Sequence, residues 1–427
     1  AYHRWGEACA DRLLGDWVFA IWNARERRLF IARDHHGYTG LYYHADSRGF
    51  AFATSLKGLV ALPEVPERPN PLAIAQVLTA WTVHGAPTCF EGILRLPPAH
   101  AMTVTPDGVK IERYWYLERT PDLHLKTDDD YVEAFLEVYT EAVRCRLRCS
   151  APVGIKMSGG LDSGSVAALA ARELGKQGQH LTAFSSVPIA STEALYRHGI
   201  GDERPFIDAT AQFIGNIDLN YIEARDVSPV AAIEKALLIH DQPVHSGANA
   251  YWNNALMAEA REQGLGAVLT GQGGNGTISW HGGSRAPLLE YVLKGQWGTF
   301  SQKMKAWQEA TERTFWQGIK RQVIHPLVAP LRQRQLRSRA RGDVWRDYSA
   351  LNVDLAHELD LSGRMTEAGH DPTFKQKRDP EPARLRVSKP GRALVGLLHV
   401  EIGGAFGLEV RAPPVVARVL TLCWSMR

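Results

Sequence analysis

The sequence predicts an α/β protein in which a doubly wound parallel sheet follows a smaller antiparallel α+β domain. Two observations carry this prediction. Residues 1–119 contain short runs of alternating apolar and polar residues joined by tight turns, which is typical of antiparallel strands. Residues 120–427 alternate strand-like and helix-like segments, which is typical of a parallel sheet covered by helices on both faces. We therefore predict two domains, 1–119 and 120–427.

The first domain is predicted to be a β meander with one helix. Its four alternating runs are separated by charged or glycine-containing turns and lie at 16–23, 27–34, 39–44 and 49–55. Proline near the start of 69–81 indicates a helix there. The segment 92–117 returns to strands around a Pro-Asp-Gly turn at 106–108.

The second domain is predicted to begin with an amphipathic helix at 128–147, whose first turn is acidic. Strands are then predicted at 151–157, 180–187, 219–224 and 266–271. Helices are predicted at 163–175, 202–215, 228–241 and 248–264. This order matches a parallel sheet with helical crossovers, and helical patterns continue beyond residue 285.

Two later segments are polar. The stretch 320–346 is strongly basic, and we interpret it as a solvated helical face, with a patch for an anionic substrate or a peptide as the alternative. The segment 370–391 is predicted to be an exposed loop.

The composition excludes some classes of protein. A net charge of +3 gives no reason to expect nucleic acid or membrane surfaces as partners, and no apolar run approaches the length of a membrane span. Five cysteines are few and odd in number, which favours a reducing compartment over a disulfide framework. We therefore expect a cytoplasmic protein.

The motif Ser-Gly-Gly-Leu-Asp-Ser at 158–163 lies between a predicted strand and a predicted helix. Glycines allow the backbone to approach a ligand closely, and free N–H groups at a helix start attract anions. An aspartate beside bound phosphates would be repelled unless a cation lay between them, so Asp162 is a candidate Mg²⁺ ligand. A capped strand-to-helix turn is the alternative interpretation, and we favour phosphate binding.

This motif is similar to the pyrophosphate loop of the adenylating ATP pyrophosphatases. Together with its context it resembles the asparagine synthetase B family, whose relatives include β-lactam synthetases and lasso-peptide cyclases. The segments 2–44 and FEGILRLPPAH resemble the later part of that family's N-terminal glutaminase domain. VLTGQGGNG resembles the second ATP- and magnesium-binding loop, and GLEVRAPP a motif near the substrate pocket.

The resemblance implies an ATP-dependent carbon–nitrogen ligase that forms an acyl-adenylate, releases pyrophosphate and AMP, and uses ATP and Mg²⁺. The implied nucleotide-binding residues are Ser158, Gly159, Gly160, Asp162, Ser163, Ser186, Thr270 and Gly271. The implied metal ligands are Asp162 and Asn275. The resemblance places the family's catalytic lysine beyond Arg427 and its N-terminal glutaminase cysteine before Ala1, so we assign no catalytic residue.

Three positions depart from the family pattern. Gln272 and Asn275 stand where the second loop usually has acids, and Val416 stands where an aspartate is usual. An amide oxygen can bind Mg²⁺ but carries no charge, so we expect weaker metal binding. Gln272 cannot act as a general acid or base, because an amide does not titrate near neutral pH.

Two further groups are open to more than one interpretation. Asp202 and Glu203 are interpreted as acids at a helix start, with a place near the substrate amine as the alternative. Trp252 and its neighbour Tyr251 are expected to pack in the core, whereas Asn253 and the nearby Asn249 could line an acyl pocket.

Three functions follow from these observations. The first is amide-bond formation most like that of a glutamine-hydrolysing asparagine synthetase, on a small-molecule or peptide carboxylate. The second is a lasso-peptide type macrocyclase acting on a co-encoded peptide, and the third is a nucleotide-binding scaffold without turnover. A homodimer is left open.

Overall fold

The computed structural model describes residues 1–81, 86–192, 200–244, 247–280, 288–311, 313–328, 343–368, 370, 372–374 and 395–426. Contacts divide the chain into two compact units. One unit comprises 1–77, 82–279 and 388–427, and the other comprises 78–81 and 280–387. The proposed boundary at 119/120 falls within the first unit and stays a prediction. Residues 329–342 of the basic stretch and 375–391 of the predicted loop lie outside the described residues.

The first part of the chain forms two antiparallel sheets. Its strands are β1 (Val18–Asn23), β2 (Arg28–Arg33), β3 (Tyr42–Asp46), β4 (Gly49–Ala53), β5 (Ile93–Arg95), β6 (His100–Thr105) and β7 (Gly108–Arg113). One sheet has the order β1-β2-β6-β7 and the other β4-β3-β5. The prediction of antiparallel strands is confirmed, but the strands form two sheets rather than one meander. The chain leaves the first sheet after β2, where the Asp34 carboxylate accepts hydrogen bonds from three successive backbone N–H groups, those of residues 36–38.

Short helices accompany these sheets. They are α1 (Tyr2–Trp5), α2 (Leu56–Val60) and α3 (Pro71–Leu78), and 3₁₀ turns cover Gly6–Arg12 and Leu117–Arg119. The α3 helix begins at the proline, as the sequence predicts for 69–81, because proline at the first helical position loses no intrahelical hydrogen bond.

The second part contains a five-stranded sheet in which every pair of neighbours is parallel. Its strands are β8 (Val153–Lys156), β9 (Leu181–Ser186), β10 (Ile217–Ile222), β11 (Ala267–Thr270) and β12 (Glu409–Arg411). Their order across the sheet is β10-β9-β8-β11-β12. The order reverses between β8 and β11, and open α/β sheets bind their ligands beyond the carboxyl ends of the strands at such a switch point.

Helices cover both faces of this sheet, so the doubly wound prediction is confirmed. They are α4 (Asp128–Arg146), α5 (Leu161–Gly175), α6 (Arg204–Ile214), α7 (Pro229–His240), α8 (Ala250–Glu262), α14 (Val395–Phe406) and α15 (Ala417–Ser425). On one face Ile155 of β8 packs in a buried cluster with residues of α4, α5 and α15. On the other face Val268 of β11 packs with Leu256 of α8 and Ile402 of α14.

Polar contacts join the antiparallel sheets to the parallel sheet within the first unit. The Tyr42 hydroxyl donates to one carboxylate oxygen of Glu401 at 2.7 Å, and the other oxygen lies 2.7 Å from His240 Nδ1. Arg146 at the end of α4 makes a two-pronged ion pair with Asp16 at 2.6 and 2.7 Å. These pairs fix the two layers against each other.

The second unit is helical where it is described. It contains α9 (Leu289–Leu293), α10 (Trp297–Thr311), α11 (Phe315–Ile319), α12 (Val353–Glu358) and α13 (Leu361–Glu367). A core of Leu288, Phe300 and Met304 holds its first helices together. Across the described ranges, we find no helix with both the length and the apolarity needed to cross a membrane.

Candidate functional site

Two loops meet beyond the carboxyl ends of β8 and β11, at the switch point of the parallel sheet. The first, which we call the SGGLDS loop, is formed by residues 158–163 and leads from β8 into α5. The second, which we call the TGQGGNG loop, is formed by residues 270–276 and follows β11. They lie side by side because β8 and β11 are hydrogen-bonded neighbours. The fold thus brings together two motifs that are far apart in the chain.

The SGGLDS loop is held in shape by its two hydroxyls. Ser163 Oγ accepts a hydrogen bond from the Ser158 backbone N–H at 3.0 Å and lies 2.9 Å from Ser158 Oγ. The Gly160 N–H donates to Ser158 Oγ at 3.3 Å. These bonds hold the loop open around the start of α5, where backbone N–H groups and the helix dipole favour an anion. The two serines therefore fix the shape of the SGGLDS loop, and their role toward a phosphate stays a prediction.

Asp162 lies directly against the TGQGGNG loop. A Cβ added to Gly274 would lie only 2.2 Å from Asp162 Cγ, so only glycine allows this approach. A Cβ on Gly271 would lie 2.5 Å from the backbone nitrogen of Ser163. Oδ1 of Asp162 is buried and has no hydrogen-bond partner among the described residues. A buried carboxylate oxygen without a partner is costly, and a cation would satisfy it.

These features fit Mg²⁺ held jointly with nucleotide phosphates. Within the described ranges, we find no group of three or more His, Cys, Asp or Glu side chains arranged to hold a metal ion by themselves. Mg²⁺ commonly takes one or two carboxylates and completes its shell with phosphate oxygens and water. Asp162 has such a carboxylate beside the start of α5, and its role as a metal ligand stays a prediction.

The other expected nucleotide and metal residues lie at the same edge of the sheet. Thr270 is buried at the end of β11, and its Oγ1 accepts from the Gln272 N–H at 3.2 Å. Ser186 ends β9, one strand away from the switch point. Asn275 is exposed, and its Oδ1 lies 3.5 Å from Ser279 Oγ. Their roles toward a nucleotide or metal stay predictions.

Glu203 contacts the SGGLDS loop, which the sequence did not indicate. Its Oε2 accepts a hydrogen bond from the Gly159 N–H at 2.9 Å. A carboxylate therefore occupies one of the backbone donors that a phosphate would use. Asp202 behaves differently, because it pairs with the Arg204 guanidinium at 2.8 Å. The acidic pair before α6 was the available signal, but its position beside residue 159 depends on the packing of α6.

Lys156 was also missed, although a lysine inside a predicted buried strand is unusual. It is the last residue of β8, and its Nζ lies 4.1 Å from the centre of the Trp252 ring. The same Nζ donates to Asn253 Oδ1 at 3.3 Å. Burial lowers the pKa of Lys156 to about 8. Trp252 and Asn253, whose roles the sequence left open, thus contact Lys156 at the carboxyl end of β8.

The GLEVRAPP segment (407–414) packs near the two loops and contacts the end of α4. The Arg411 guanidinium donates to the backbone carbonyls of Arg146 and Arg148 at 2.7 and 2.9 Å. A Cβ on Gly273 would lie 2.2 Å from Val415 Cγ1, so the residue that follows this segment packs closely on the TGQGGNG loop. Arg411 therefore holds the end of α4 and β12 in place.

Comparison with known proteins gives two family matches. The model of the family described as Asparagine synthase matches residues 134–427, and that described as Glutamine amidotransferase domain matches residues 1–115. The first match alone covers more than half of the chain. The resemblance identified from the SGGLDS and TGQGGNG motifs is thereby confirmed at the level of the family.

Curated relatives agree with these matches. Asparagine synthetase (glutamine-hydrolyzing) 3 of Bacillus subtilis is 29% identical over 248 residues, which is 57% of this chain and 40% of that protein. Amidase chry2 of Gibberella zeae is 30% identical over 296 residues, 67% of this chain and 43% of its own. Putative asparagine synthetase (glutamine-hydrolyzing) 2 of Methanocaldococcus jannaschii is 25% identical over 279 residues, 64% of this chain and 51% of its own. The chain thus spans about two-fifths to one-half of these relatives.

One solved structure, described as that of the allosteric regulatory enzyme of purine biosynthesis, aligns over 52% of this chain and 50% of its own. Its identity is 11% and its TM-score 0.19. This similarity is too low to carry an argument.

Proposed function

Because the chain belongs to the asparagine synthase family, we propose that it catalyses ATP-dependent amide-bond formation through an acyl-adenylate. Synthesis of an asparagine-like amide on a small carboxylate is the nearest activity. The observation that carries this proposal is the partnerless Asp162 oxygen, which lies against Gly274 at the mouth of the SGGLDS loop. This arrangement suits a magnesium-bound polyphosphate.

The reaction would proceed in two steps. A carboxylate oxygen of the acid attacks the α-phosphorus of ATP, and the bond to the bridging oxygen breaks, which releases pyrophosphate. An amine nitrogen then attacks the acyl carbon, AMP leaves, and the nitrogen loses a proton. The first step places negative charge on the leaving pyrophosphate, so fixed donors around that group would lower its barrier.

Different residues of this chain would bind the pyrophosphate, the metal ion and the nucleotide. The N–H groups at the start of α5 and the loop shaped by Ser158 and Ser163 would bind the leaving pyrophosphate. Asp162, with Asn275 as a neutral second ligand, would hold Mg²⁺. The ion, when bound, neutralises phosphate charge. Thr270 and Gly271 would border the nucleotide, and Ser186 would lie toward its adenine.

The nitrogen source is proposed to be glutamine. The match of residues 1–115 to a glutamine amidotransferase domain supports this source. We further propose that the protein works in the cytoplasm. An additional peptide or protein partner and a homodimer stay open.

Exchange of radiolabelled pyrophosphate into ATP tests the proposal directly, because it reports the first step without the amine. We expect exchange that requires Mg²⁺ and a carboxylic acid, with L-aspartate as the first acid to try. Asp162→Asn should abolish exchange, and the matched control Asp128→Asn, on the exposed first turn of α4, should retain it. Full exchange in Asp162→Asn would refute the metal role.

The same assay separates the two other functions. Exchange that appears only with a co-encoded precursor peptide would indicate a macrocyclase. Nucleotide binding without exchange under any condition would indicate a scaffold, which the amides Gln272 and Asn275 in place of acids would explain. All three functions would use the arrangement at Asp162 to bind a nucleotide, so the exchange assay decides among them.

A further inference from the structure

Lys156 extends from β8 toward the face of the sheet opposite α5. Val153 and Ile155 point into the buried cluster with α4 and α5, so alternation along a strand sends Gly154 and Lys156 to the other side. A Cβ on Gly154 would lie 2.6 Å from Leu265, a residue of that other cluster. Lys156 therefore shares the carboxyl edge with the SGGLDS loop but faces α8 and α14.

Among the described residues, the groups that contact the Lys156 ammonium group are uncharged. Its contacts in the described structure are the Trp252 ring and the Asn253 amide, and no carboxylate of that structure lies within ion-pair distance of it. Buried charges in proteins are ordinarily paired. Loss of hydration alone accounts for the pKa of about 8. Lys156 is thus a cation without an anion.

His399 of α14 completes these surroundings. Burial and the positive charge of Lys156 lower the pKa of His399 to about 3, so the imidazole is neutral at physiological pH. Its Nδ1 is buried without a hydrogen-bond partner in the described structure. The centre of the Tyr38 ring lies 6.1 Å from that of the imidazole. The His399 imidazole is neutral and has a free hydrogen-bonding atom, and the Lys156 ammonium group has no anionic partner in the described structure. A polar ligand would satisfy both groups.

We propose that Lys156 binds a second carboxylate group of the acyl substrate, one that does not react with ATP, on the α8–α14 side of β8. This inference rests on the proposed function and adds to it the position and charge of the acid. Trp252 and Asn253 hold the ammonium group in place, and His399 offers a hydrogen bond. This carboxylate would then lie on the side of β8 opposite to α5. The first turn of α5 is the proposed phosphate site.

A carboxylate fits this position better than a phosphate. The strand β8 separates Lys156 from the backbone donors at the start of α5, which are the groups suited to a polyphosphate. One ammonium group with a single neutral imidazole balances one negative charge. A phosphate, with more charge, would leave part of it uncompensated in a desolvated place.

The first experiment measures the pKa of Lys156 directly. Protein labelled with ¹³C at lysine Cε is titrated by NMR in acetate and in chloride at equal ionic strength, and the Lys156 signal is assigned by its absence in Lys156→Met. A bound carboxylate favours the charged form, so acetate should raise this pKa while chloride should not. An unchanged pKa in acetate overturns the proposal, whether or not the protein has ligase activity.

The second experiment uses the pyrophosphate exchange assay with L-aspartate. Lys156→Met should raise the KM for the acid about 10- to 100-fold, as expected when a charged hydrogen bond is lost, and leave the KM for ATP within about twofold. Lys156→Arg should recover part of the affinity, and the surface control Lys110→Met should match the wild type. An unchanged KM for the acid, or an equal loss for ATP, overturns the proposal. Absence of exchange in the wild type would refute the proposed function, and the NMR result would still decide this inference.

Discussion

Replacing Lys156 by methionine is expected to stabilise the protein at neutral pH. The pKa of Lys156 is about 8 in the folded state, against an ordinary value of 10.5. Below pH 8 the side chain is charged both folded and unfolded, and the folded state bears the full cost of the desolvated charge. Each pKa unit corresponds to about 1.4 kcal/mol, so this cost is roughly 3 kcal/mol.

The loss of a polar contact that methionine cannot make reduces the expected gain. The uncharged amine would keep its hydrogen bond to Asn253, which methionine cannot make and which is worth about 1 kcal/mol, whereas packing on the Trp252 ring is retained. We therefore expect Lys156→Met to raise the free energy of unfolding by about 1–3 kcal/mol at pH 7. Methionine has a similar length and flexible packing, so no large cavity should form.

The pH dependence of the free energy of unfolding shows whether the buried charge of Lys156 causes the difference. As pH rises from 8 to 10.5 the folded lysine loses its proton before the unfolded one, so the penalty in the wild type shrinks and disappears above pH 10.5. Urea denaturation followed by circular dichroism should show a higher midpoint for Lys156→Met at pH 7 and nearly equal midpoints at pH 10.5. Lys110→Met, whose ammonium group is exposed, should behave like the wild type at both pH values. Equal midpoints at pH 7, or a difference independent of pH, would refute the reasoning.

Three further predictions concern the two loops. Gly274→Ala should abolish pyrophosphate exchange, because its Cβ would overlap the Asp162 carboxylate at 2.2 Å. Asn275→Asp should lower the Mg²⁺ concentration for half-maximal exchange roughly tenfold, since a charged ligand binds Mg²⁺ more tightly than an amide. Glu203→Gln should tighten pyrophosphate binding about two- to fivefold in calorimetry, because a charged competitor for the Gly159 N–H is removed.

Matched variants control each of these measurements. Gly404→Ala lies on an exposed part of α14 with open space around the new Cβ, so it should keep exchange and raise the free energy of unfolding by about 0.5–1 kcal/mol. Glu262→Gln removes an exposed charge at the end of α8 and should leave pyrophosphate binding unchanged. An Asn275→Asp protein with the wild-type Mg²⁺ requirement would remove residue 275 from the metal site. Weaker pyrophosphate binding by Glu203→Gln would show that this carboxylate supports the loop.

The strand-to-helix position of the SGGLDS loop and the class of fold could be predicted from the sequence because their signals are local. The residues of the SGGLDS loop are contiguous. The interpretation of this motif depends only on a strand before it and a helix after it. The alternation of elements after residue 120 likewise needs no knowledge of their arrangement. The split of the first strands into two sheets was not predicted, because it depends on the turn that Asp34 stabilises after β2.

The sequence by itself determined the family, the parallel-sheet fold and the two loops that ATP would require. Only the tertiary structure decided which residues meet. The strand order places β11 beside β8, which brings Gly274 against Asp162. The packing of α6 brings Glu203 to the SGGLDS loop, and that of α8 brings Trp252 to Lys156. The physical reason is that periodicity fixes which face of an element is buried, whereas contacts between distant elements depend on strand order and helix packing.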